Sequence, residues 1–345
     1  MSLISEIHEQ GDLLEQLLNN QMGKVEEVAR LIKKHNPPYI FLAARGTSDN
    51  AGRYANYVLG SVNRMPVALA TPSLFSIYNQ PPQLNGALVI GISQSGQSPD
   101  IVSVLTEAQR QGCPTVAITN IAESPLAKSA DAVLDIQAGV EAAVAATKTY
   151  TTELMTIAML SAALTGEKSA YDALTQVPGW VRRVLSQADT LTRLAERYRY
   201  MERCVVLGRG YNYATAFEWS LKLKELTYVT AEPYSSADFQ HGPIAIVEQG
   251  FPIMAVAPSG KVYENFLGML KQLRSGPNAE LVVISDRLEA LELAQSPLPL
   301  PVGIPEWLSP IVAIIPAQLF AYALTRAKGY NTEAPRSIHK VTETH

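Results

Sequence analysis

Apolar and polar residues follow two different periods along this chain. Over residues 3–34 the apolar positions recur at helical spacing with charged residues between them, and the pattern stops at Pro37 and Pro38. We therefore predict an amino-terminal helical segment within residues 1–36. Beyond it, short apolar runs alternate with helical patterns, which predicts strands over 39–44, 88–92, 115–119 and 132–136 and helices over 49–60, 98–111 and 147–164.

The predicted strands are apolar on both faces, so helices must cover both sides of the sheet, as in a parallel α/β sheet. The pattern then recurs. "FLAARG" at 41–46 matches "VVLGRG" at 205–210, the same offset of 164 residues places Ser95-Gly96 on Ser259-Gly260, and "AITN" at 117–120 resembles "VISD" at 283–286. A repeat of this length predicts two related α/β domains in tandem, over 37–170 and 195–330, with a polar tail over 331–345.

Composition narrows the functional classes. The 345 residues are 47% hydrophobic, and 28 Lys and Arg stand against 32 Asp and Glu, a net charge of −4 without long charged runs. We therefore expect no nucleic-acid partner. The acidic amino terminus and the lack of an apolar run of about 18 residues predict neither a signal peptide nor a membrane span. Cys113 and Cys204 lack the spacing of a metal site or disulfide, so we expect a soluble, metal-free protein of the reducing cytoplasm.

Hydroxyl and amide side chains crowd the turn that follows the strand predicted at 88–92, which reads "LVIGISQSGQSPD" over 88–100. Ser93, Ser95 and Ser98 offer donors, Gly96 permits close backbone approach, and Pro99 suits the first turn of a helix. Helix starts at the carboxyl ends of parallel strands bind anions, so this turn predicts a phosphate cradle. The turn at 45–55 repeats the arrangement with Thr47 and Ser48. The alternative is that Ser48 and Ser98 are ordinary helix caps.

Three charged residues share one face of a predicted helix in the second domain. Glu218, Lys222 and Glu225 stand at i, i+4 and i+7, a spacing typical of solvated ion pairs as well as of a buried site. His241 follows in a Gln-His-Gly-Pro turn, where it is either structural or placed for proton transfer. Lys340 lies in a polar tail that composition alone predicts to be frayed.

Five motifs occur together in one order. They are "SQSGQSPD" at 93–100, "AVAATKTYTTEL" at 143–154, "LKLKE" at 221–225, "HGP" at 241–243 and the carboxyl-terminal "PR" followed by "KVT". With "SEIHEQ" at 5–10, they make the chain resemble the isomerase half of glucosamine-6-phosphate synthase, the glutamine–fructose-6-phosphate aminotransferase, over essentially its whole length. The resemblance implies an α/β protein of two tandem flavodoxin-like sugar isomerase (SIS) domains that needs no cofactor.

The same resemblance implies a role for each candidate residue. Glu225 would move a proton between C1 and C2 of a sugar phosphate, with Lys222 beside it. His241 would help to open the sugar ring from the neighbouring subunit of a homodimer, and Lys340 would form an imine with the ketose. The implied substrate-binding residues are Thr47, Ser48, Ser93, Gln94, Ser95, Ser98, Val144 and His339.

Some features depart from that family. Arg45 replaces a cysteine, Gln97 an acidic residue and His339 a small residue beside the tail lysine, and the chain starts without a glutaminase domain. We therefore expect an amino-sugar-phosphate deaminase/isomerase acting on a hexosamine 6-phosphate such as glucosamine 6-phosphate. The alternatives are an aminotransferase supplied by ammonia or a separate glutaminase chain, and a non-catalytic sugar-phosphate-binding regulatory module. The joint presence of Glu225, His241 and Lys340 favours an enzyme.

Overall fold

The computed structural model of the protein describes residues 2–340 and divides them into two compact units. The first unit consists of residues 12–141, 148–176 and 339–340, and the second of residues 2–11, 142–147 and 177–338. The predicted amino-terminal helix is present as α1 (Leu3–His35), whose residues are divided between the two units.

The first unit contains a five-stranded sheet in which every neighbouring pair is parallel. Its strands are β1 (Ile40–Ala43), β2 (Val67–Leu69), β3 (Leu88–Ile92), β4 (Thr115–Thr119) and β5 (Ala132–Asp135), in the order β2-β1-β3-β4-β5. Its further helices are α2 (Gly46–Ser61), α3 (Ser73–Ser76), α4 (Pro99–Arg110), α5 (Pro125–Lys128), α6 (Lys148–Thr165) and α7 (Lys168–Leu174). Every residue of β3 and β4 is buried, which explains why these strands are apolar or small at each position.

The second unit repeats this plan. Its strands are β6 (Arg203–Gly208), β7 (Thr230–Ser235), β8 (Pro252–Val256), β9 (Glu280–Ser285) and β10 (Ser296–Pro299), in the order β7-β6-β8-β9-β10. Its helices are α8 (Val177–Leu185), α9 (Ala188–Ala195), α10 (Tyr213–Thr227), α11 (Ser236–Phe239), α12 (Tyr263–Ser275), α13 (Leu288–Glu292) and α14 (Ser309–Ala327). Again all neighbouring strands are parallel.

The strand order is the same in both units, with the second strand outside the first and the later strands on the other side. The predicted tandem α/β repeat, of flavodoxin-like order, is therefore confirmed. In such a sheet the order in which successive strands are added reverses between the first and third strands, so the connections that follow those two strands run to opposite faces of the sheet and leave a crevice at their carboxyl ends. This switch point lies between β1 and β3 in the first unit and between β6 and β8 in the second.

The most apolar helix of the described chain is a core element of the second unit. The span Glu306–Ala327, which contains α14, is long and apolar enough to cross a membrane by length and composition, so the expectation that no such run exists was wrong. However, 94% of its most apolar window is buried inside the protein. Helix α14 packs against α8, α9 and α10, and Trp219 meets Phe320 edge to face there. These contacts account for its apolar surface.

Candidate functional site

Two loops of the first unit meet at its switch point. Strands β1 and β3 are paired, with Ala43 opposite Gly91, so the loops that follow them emerge side by side. The Nε atom of Arg45 in one loop lies 2.7 Å from the Oδ2 atom of Asp100 at the start of α4 in the other. Because the Asp100 side chain is only 1% exposed, this ion pair fixes the two loops to each other. Arg45 thus forms an ion pair with Asp100 that a cysteine, the residue of the resembling family at this position, could not form.

The serine-rich turn is closed around Gly96. The Ser93 Oγ atom accepts a hydrogen bond of 3.1 Å from the Gly96 N–H, and the Ser95 Oγ atom accepts one of 3.3 Å from the Gln97 N–H. Gly96 has φ +61°, and a Cβ atom there would lie 2.1 Å from the Ser124 Oγ atom. The turn can therefore be this tight only with glycine at that position.

The turn is also hydrogen-bonded to the segment that follows β4 and to α5. The carbonyl oxygen of Gln94 accepts a hydrogen bond of 3.2 Å from the Asn120 N–H, and that of Gly96 accepts one of 3.1 Å from the Leu126 N–H. The Gln94 side chain is half-buried, like that of Ser95. A rigid backbone of this kind holds its hydroxyl and N–H groups in one place, as anion binding requires.

The helix-cap interpretation fails for both serines to which it was applied. Ser98 precedes α4, but its side chain makes no capping hydrogen bond. Ser48 lies within α2, not before it, and its Oγ atom donates a hydrogen bond of 2.7 Å to the Oε1 atom of Glu153. Thr47 precedes it on the same first turn and is half-buried. These hydroxyls are therefore not explained by the requirements of their helix starts.

Acidic groups accompany the cradle as well. Asp49 follows Ser48 and pairs with Arg53 at 3.1 Å. Burial raises the pKa of the Asp49 carboxyl above its ordinary value, although the charges of Arg53 and Arg45 oppose this rise. The positive charges of Arg45 and Arg53 at this loop are thus paired with the carboxylates of Asp100 and Asp49, and the serine hydroxyls are the main side-chain donors of the turn.

The tail lysine is held in the first unit. The Nζ atom of Lys340 lies 2.6 Å from the Oε2 atom of Glu141, whose side chain is fully buried. The same carboxylate accepts hydrogen bonds from Thr149, 2.8 Å from its Oγ1 atom and 3.1 Å from its N–H. The tail up to Lys340 is therefore tied down, and the frayed interpretation is wrong for that residue. The neighbouring His339 is exposed, and the "VT" of the tail motif lies outside the described residues.

The charged face of α10 is buried. The Lys222 Nζ atom lies 2.6 Å from an Oε atom of Glu225 and 3.3 Å from one of Glu218. The side chains of Glu218 and Lys222 are 0% and 1% exposed, so the interpretation as a solvated stripe is wrong. Burial alone would lower the pKa of Lys222, but the two carboxylates raise it above its ordinary value. Only Glu225, with 24% of its side chain exposed, reaches the surface.

Two further candidates lie in the second unit. The His241 side chain is exposed in the turn after α11. The backbone N–H of His241 donates a hydrogen bond of 3.0 Å to the carbonyl of Asp238. Val144 is half-buried in the segment 142–147. The start of that segment is anchored by Glu6, whose carboxylate accepts hydrogen bonds of 2.5 Å from the Ala142 N–H and 3.3 Å from the Ala143 N–H.

The candidates thus divide between the units. The first unit holds Thr47, Ser48, Ser93, Gln94, Ser95, Ser98, His339 and Lys340, and the second holds Val144, Lys222, Glu225 and His241. Three buried carboxylates that were not predicted from the sequence hold these residues or their segment, namely Glu6, Glu141 and Glu153. The available signal was an acidic residue inside an otherwise apolar or hydroxyl-rich run, as in "VEAAVAATKTYTTEL". Residues 2–340 contain no group of three or more His, Cys, Asp or Glu side chains placed to hold a metal ion.

Comparison with known proteins agrees with this architecture. The SIS domain model matches residues 32–163 and 198–326. The glutamine–fructose-6-phosphate aminotransferase (isomerizing) of Gloeobacter violaceus is 34% identical over 98% of this chain and 58% of its own length. The chain therefore spans less than two thirds of this curated relative.

Two solved structures show the same fold. The C-terminal domain of glucosamine-fructose-6-phosphate aminotransferase from Francisella tularensis matches with a TM-score of 0.87 and 28% identity, over 96% of this chain and 98% of that one. Glucosamine-6-phosphate deaminase from Thermotoga maritima matches with a TM-score of 0.80 and 20% identity, over 100% of both chains, and is similar in fold alone.

Proposed function

The chain belongs to the SIS domain family, and from this premise we propose that it is an amino-sugar-phosphate deaminase/isomerase. The proposed reaction converts a hexosamine 6-phosphate and water into a ketohexose 6-phosphate and ammonia, and glucosamine 6-phosphate is the first substrate to test. The observation that carries the proposal is Glu225, a carboxylate that is held by the buried ammonium of Lys222 and still reaches solvent.

Phosphate binding is proposed for the turn at 93–98 together with the start of α2. A sugar phosphate needs donors for its anionic oxygens, and this turn supplies the hydroxyls of Ser93, Ser95 and Ser98 at the switch point of a parallel sheet. The close packing of Gly96 against Ser124 supports a preorganised site, since the turn needs no rearrangement to present its donors. Arg45 is engaged with Asp100, so we assign it to holding the loops.

Proton transfer between C1 and C2 is proposed for Glu225. A carboxylate beside the enediol can take the proton from one carbon and return it to its neighbour. The Lys222 ammonium, 2.6 Å away, holds the carboxylate in place and balances its charge. The fully buried carboxylate of Glu218 lies 3.3 Å from the same ammonium. Lys222 therefore has a counter-ion whether Glu225 is protonated or ionised.

Covalent activation of the sugar is proposed for Lys340. Starting from the hexosamine, transfer of the C2 proton to C1 gives a ketimine at C2. Attack of the Lys340 amine on this carbon releases the substrate nitrogen as ammonia and gives a lysine imine, whereas in the reverse direction the amine attacks the ketose carbonyl and releases water. Glu141 and Thr149 support this assignment because they hold the lysine on the first unit. Hydrolysis of the imine regenerates the amine and releases the ketose.

Ring opening is proposed for His241 of a neighbouring subunit in a homodimer. The exposed position of His241 is consistent with a role in the site of a neighbouring subunit. Mixed His241→Ala and Lys340→Ala proteins should then recover activity, because a hybrid dimer contains one site with both groups intact. Demonstrated subunit exchange without recovery would contradict the shared site.

The second candidate function is the aminotransferase direction, which the 34% identity to an aminotransferase favours. It would use ammonia directly or ammonia from a separate glutaminase. Purified protein should be incubated with glucosamine 6-phosphate, and separately with fructose 6-phosphate plus ammonia or glutamine, while sugar phosphates and ammonia are measured. Ammonia release supports the deaminase, net amino-sugar formation supports the aminotransferase, and binding without turnover supports the regulatory module.

The free thiols of Cys113 and Cys204 support a cytoplasmic location.

A further inference from the structure

The second unit has its own switch-point crevice, and its loops correspond to the cradle of the first. The offset of 164 residues places the loop after β8, "APSGKVY" at 257–263, on "SQSGQSP" at 93–99. The Ser-Gly pair is retained as Ser259 and Gly260, but the flanking serines are replaced by Ala257 and Val262. Gln97 is replaced by Lys261, so this loop has fewer hydroxyls and one more cation than the cradle.

A carboxylate of the same chain fills this crevice. The Lys261 N–H donates a hydrogen bond of 2.9 Å to the Oε2 atom of Glu306. A Cβ atom at Gly260 would lie 2.2 Å from the Glu306 Cδ atom, and one at Gly210, in the loop after β6, would lie 3.9 Å from its Oε1 atom. The Glu306 carboxylate therefore lies against both loops that form the switch point, where the fold would otherwise bind an anionic ligand.

The neighbouring donors are also engaged by the chain. Ser259 donates two hydrogen bonds of 2.6 Å to Asp286, one from its N–H and one from its hydroxyl. In the first unit the position of Asp286 is held by Asn120, and Ser95 accepts a hydrogen bond from the Gln97 N–H instead of donating to a carboxylate. Asp286 thus accepts both donors of Ser259, whereas the Asn120 side chain bonds Ala138 and Gly139 instead.

Helix α14 holds Glu306 in place. The Ser309 hydroxyl donates to the Glu306 carbonyl at 2.7 Å, and the buried Asn212 of the loop after β6 donates to the Ser309 Oγ atom at 2.7 Å. The backbone that carries the carboxylate is thereby fixed to one of the loops that it faces.

We propose that the switch point of the second unit is an anion site whose resident anion is the Glu306 carboxylate. A carboxylate and a phosphate accept from the same backbone N–H groups, so Glu306 excludes phosphate from this unit. It follows that each chain binds a single phosphorylated sugar, in the first unit, although both units contain the Ser-Gly turn. This count rests on the proposed function, whereas the assignment of Glu306 does not.

The test uses inorganic phosphate as the probe and measures its binding by equilibrium dialysis. The background is the Ser93→Ala, Ser95→Ala double variant, which weakens the cradle of the first unit. Adding Glu306→Ala should create one phosphate site per chain with Kd on the order of 1 mM. Adding Lys261→Ala to that protein should weaken the new site. The matched control is Glu289→Ala, which removes an exposed carboxylate paired with Lys271 in the same unit and should create no site.

Each outcome decides the proposal. A folded Glu306→Ala protein that binds no more phosphate than its background overturns it, as does equal gain with Glu289→Ala. If Glu306→Ala does not fold in phosphate-free buffer, millimolar phosphate should restore folding because it binds only the native state, and failure of that rescue also overturns it. Absence of sugar-phosphate turnover in the unmodified protein would refute the proposed function and leave this measurement intact.

Discussion

The Nζ atom of Lys340 lies 2.6 Å from the Oε2 atom of Glu141, 199 residues earlier in the chain. One partner is a fully buried carboxylate and the other an amine with 25% of its side chain exposed. A buried charge is stable only when it is paired and hydrogen-bonded, and Glu141 also accepts two hydrogen bonds from Thr149. The pair therefore fixes the tail lysine at a defined place in the first unit.

The first prediction concerns this pair. Glu141→Gln keeps an acceptor for Thr149 but removes the charge that holds Lys340, so the lysine should be misplaced for imine formation. With fructose 6-phosphate and borohydride, we expect a sugar-phosphate adduct on Lys340 that forms roughly tenfold more slowly than in the unmodified protein, an increase of about 1.4 kcal/mol in activation free energy. KM should change little. Mass spectrometry of peptides locates and quantifies the adduct.

The matched control is Glu107→Gln, which removes a half-buried carboxylate paired with the exposed Arg110 in the same unit. It should leave adduct formation unchanged. An unaltered rate in Glu141→Gln would show that Glu141 does not position Lys340, and an adduct on Lys222 or Lys148 would place the covalent step elsewhere.

The second prediction concerns Glu225. Glu225→Gln removes the proton acceptor while leaving an oxygen that can still accept from Lys222, so the fold around the ion group should persist. Exchange of the C1 or C2 hydrogen of the sugar with deuterated solvent, followed by NMR, should fall by at least about a hundredfold, the usual effect of losing a general base. Affinity for the sugar phosphate should stay within a factor of about two, because only the shuttle is lost. Glu232→Gln, an exposed carboxylate of the same unit bonded to Tyr234, is the control. Normal exchange in Glu225→Gln would reduce this residue to a structural ion pair.

The third prediction concerns the tight turn of the cradle. Gly96→Ala places a methyl group 2.1 Å from the Ser124 Oγ atom, whereas Gly46→Ala, also at positive φ, meets nothing within 4 Å. Both substitutions carry the strain of a left-handed conformation, about 1–2 kcal/mol, so their difference isolates the overlap. We expect Gly96→Ala to lower the free energy of unfolding by about 1–3 kcal/mol more than Gly46→Ala. It should also weaken sugar-phosphate binding.

Denaturant titration measures the free energy of unfolding, and calorimetry measures sugar-phosphate binding.

The Ser93→Ala, Ser95→Ala double variant should weaken the binding of phosphorylated sugars by about 1–3 kcal/mol without altering the binding of non-phosphorylated sugars. Equal weakening of both kinds of sugar would contradict the cradle assignment.

The fold could be predicted closely wherever burial alone determines residue type. Strands β3 and β4 were predicted at their observed bounds because every position in them is buried and must be apolar or small. The strand β2 was missed because it is a three-residue edge strand, only partly buried, in which no period can be recognised. Helix α14 resembles a membrane span in composition. Its burial inside the second unit, which the sequence alone does not show, accounts for that apolar composition.

The candidate site could be predicted only where its residues form a pattern that is local in the sequence. The serine turn stands out because it holds more hydroxyls than a helix start requires. Glu141 and Glu153 do not stand out, because their partners Lys340 and Ser48 lie 199 and 105 residues away in sequence. Spacing along α10 predicted that Glu218, Lys222 and Glu225 share a face but not that this face is buried, since burial depends on neighbouring elements.

The fourth prediction concerns stability in alkali. Cys204 is fully buried, and this burial raises the pKa of its thiol from 9.0 to about 12. Well below pH 9.0 the thiol is neutral in the folded and unfolded chain, so its contribution to stability does not vary with pH there. Between 9.0 and about 12 the unfolded chain releases this proton and the folded chain retains it, which favours unfolding.

The free energy of unfolding should consequently fall in that range by up to about 1.4 kcal/mol per pH unit through Cys204. Cys204→Ala should remove this part of the slope, while Cys113→Ala, which alters the other buried cysteine, should retain it. Urea titrations at several pH values between 8 and 11, about one unit apart, measure the slopes, and the tyrosines that also titrate there contribute equally to all three proteins. Parallel slopes for Cys204→Ala and the unmodified protein would show that the thiol ionises alike in both states and is not sealed in the folded core.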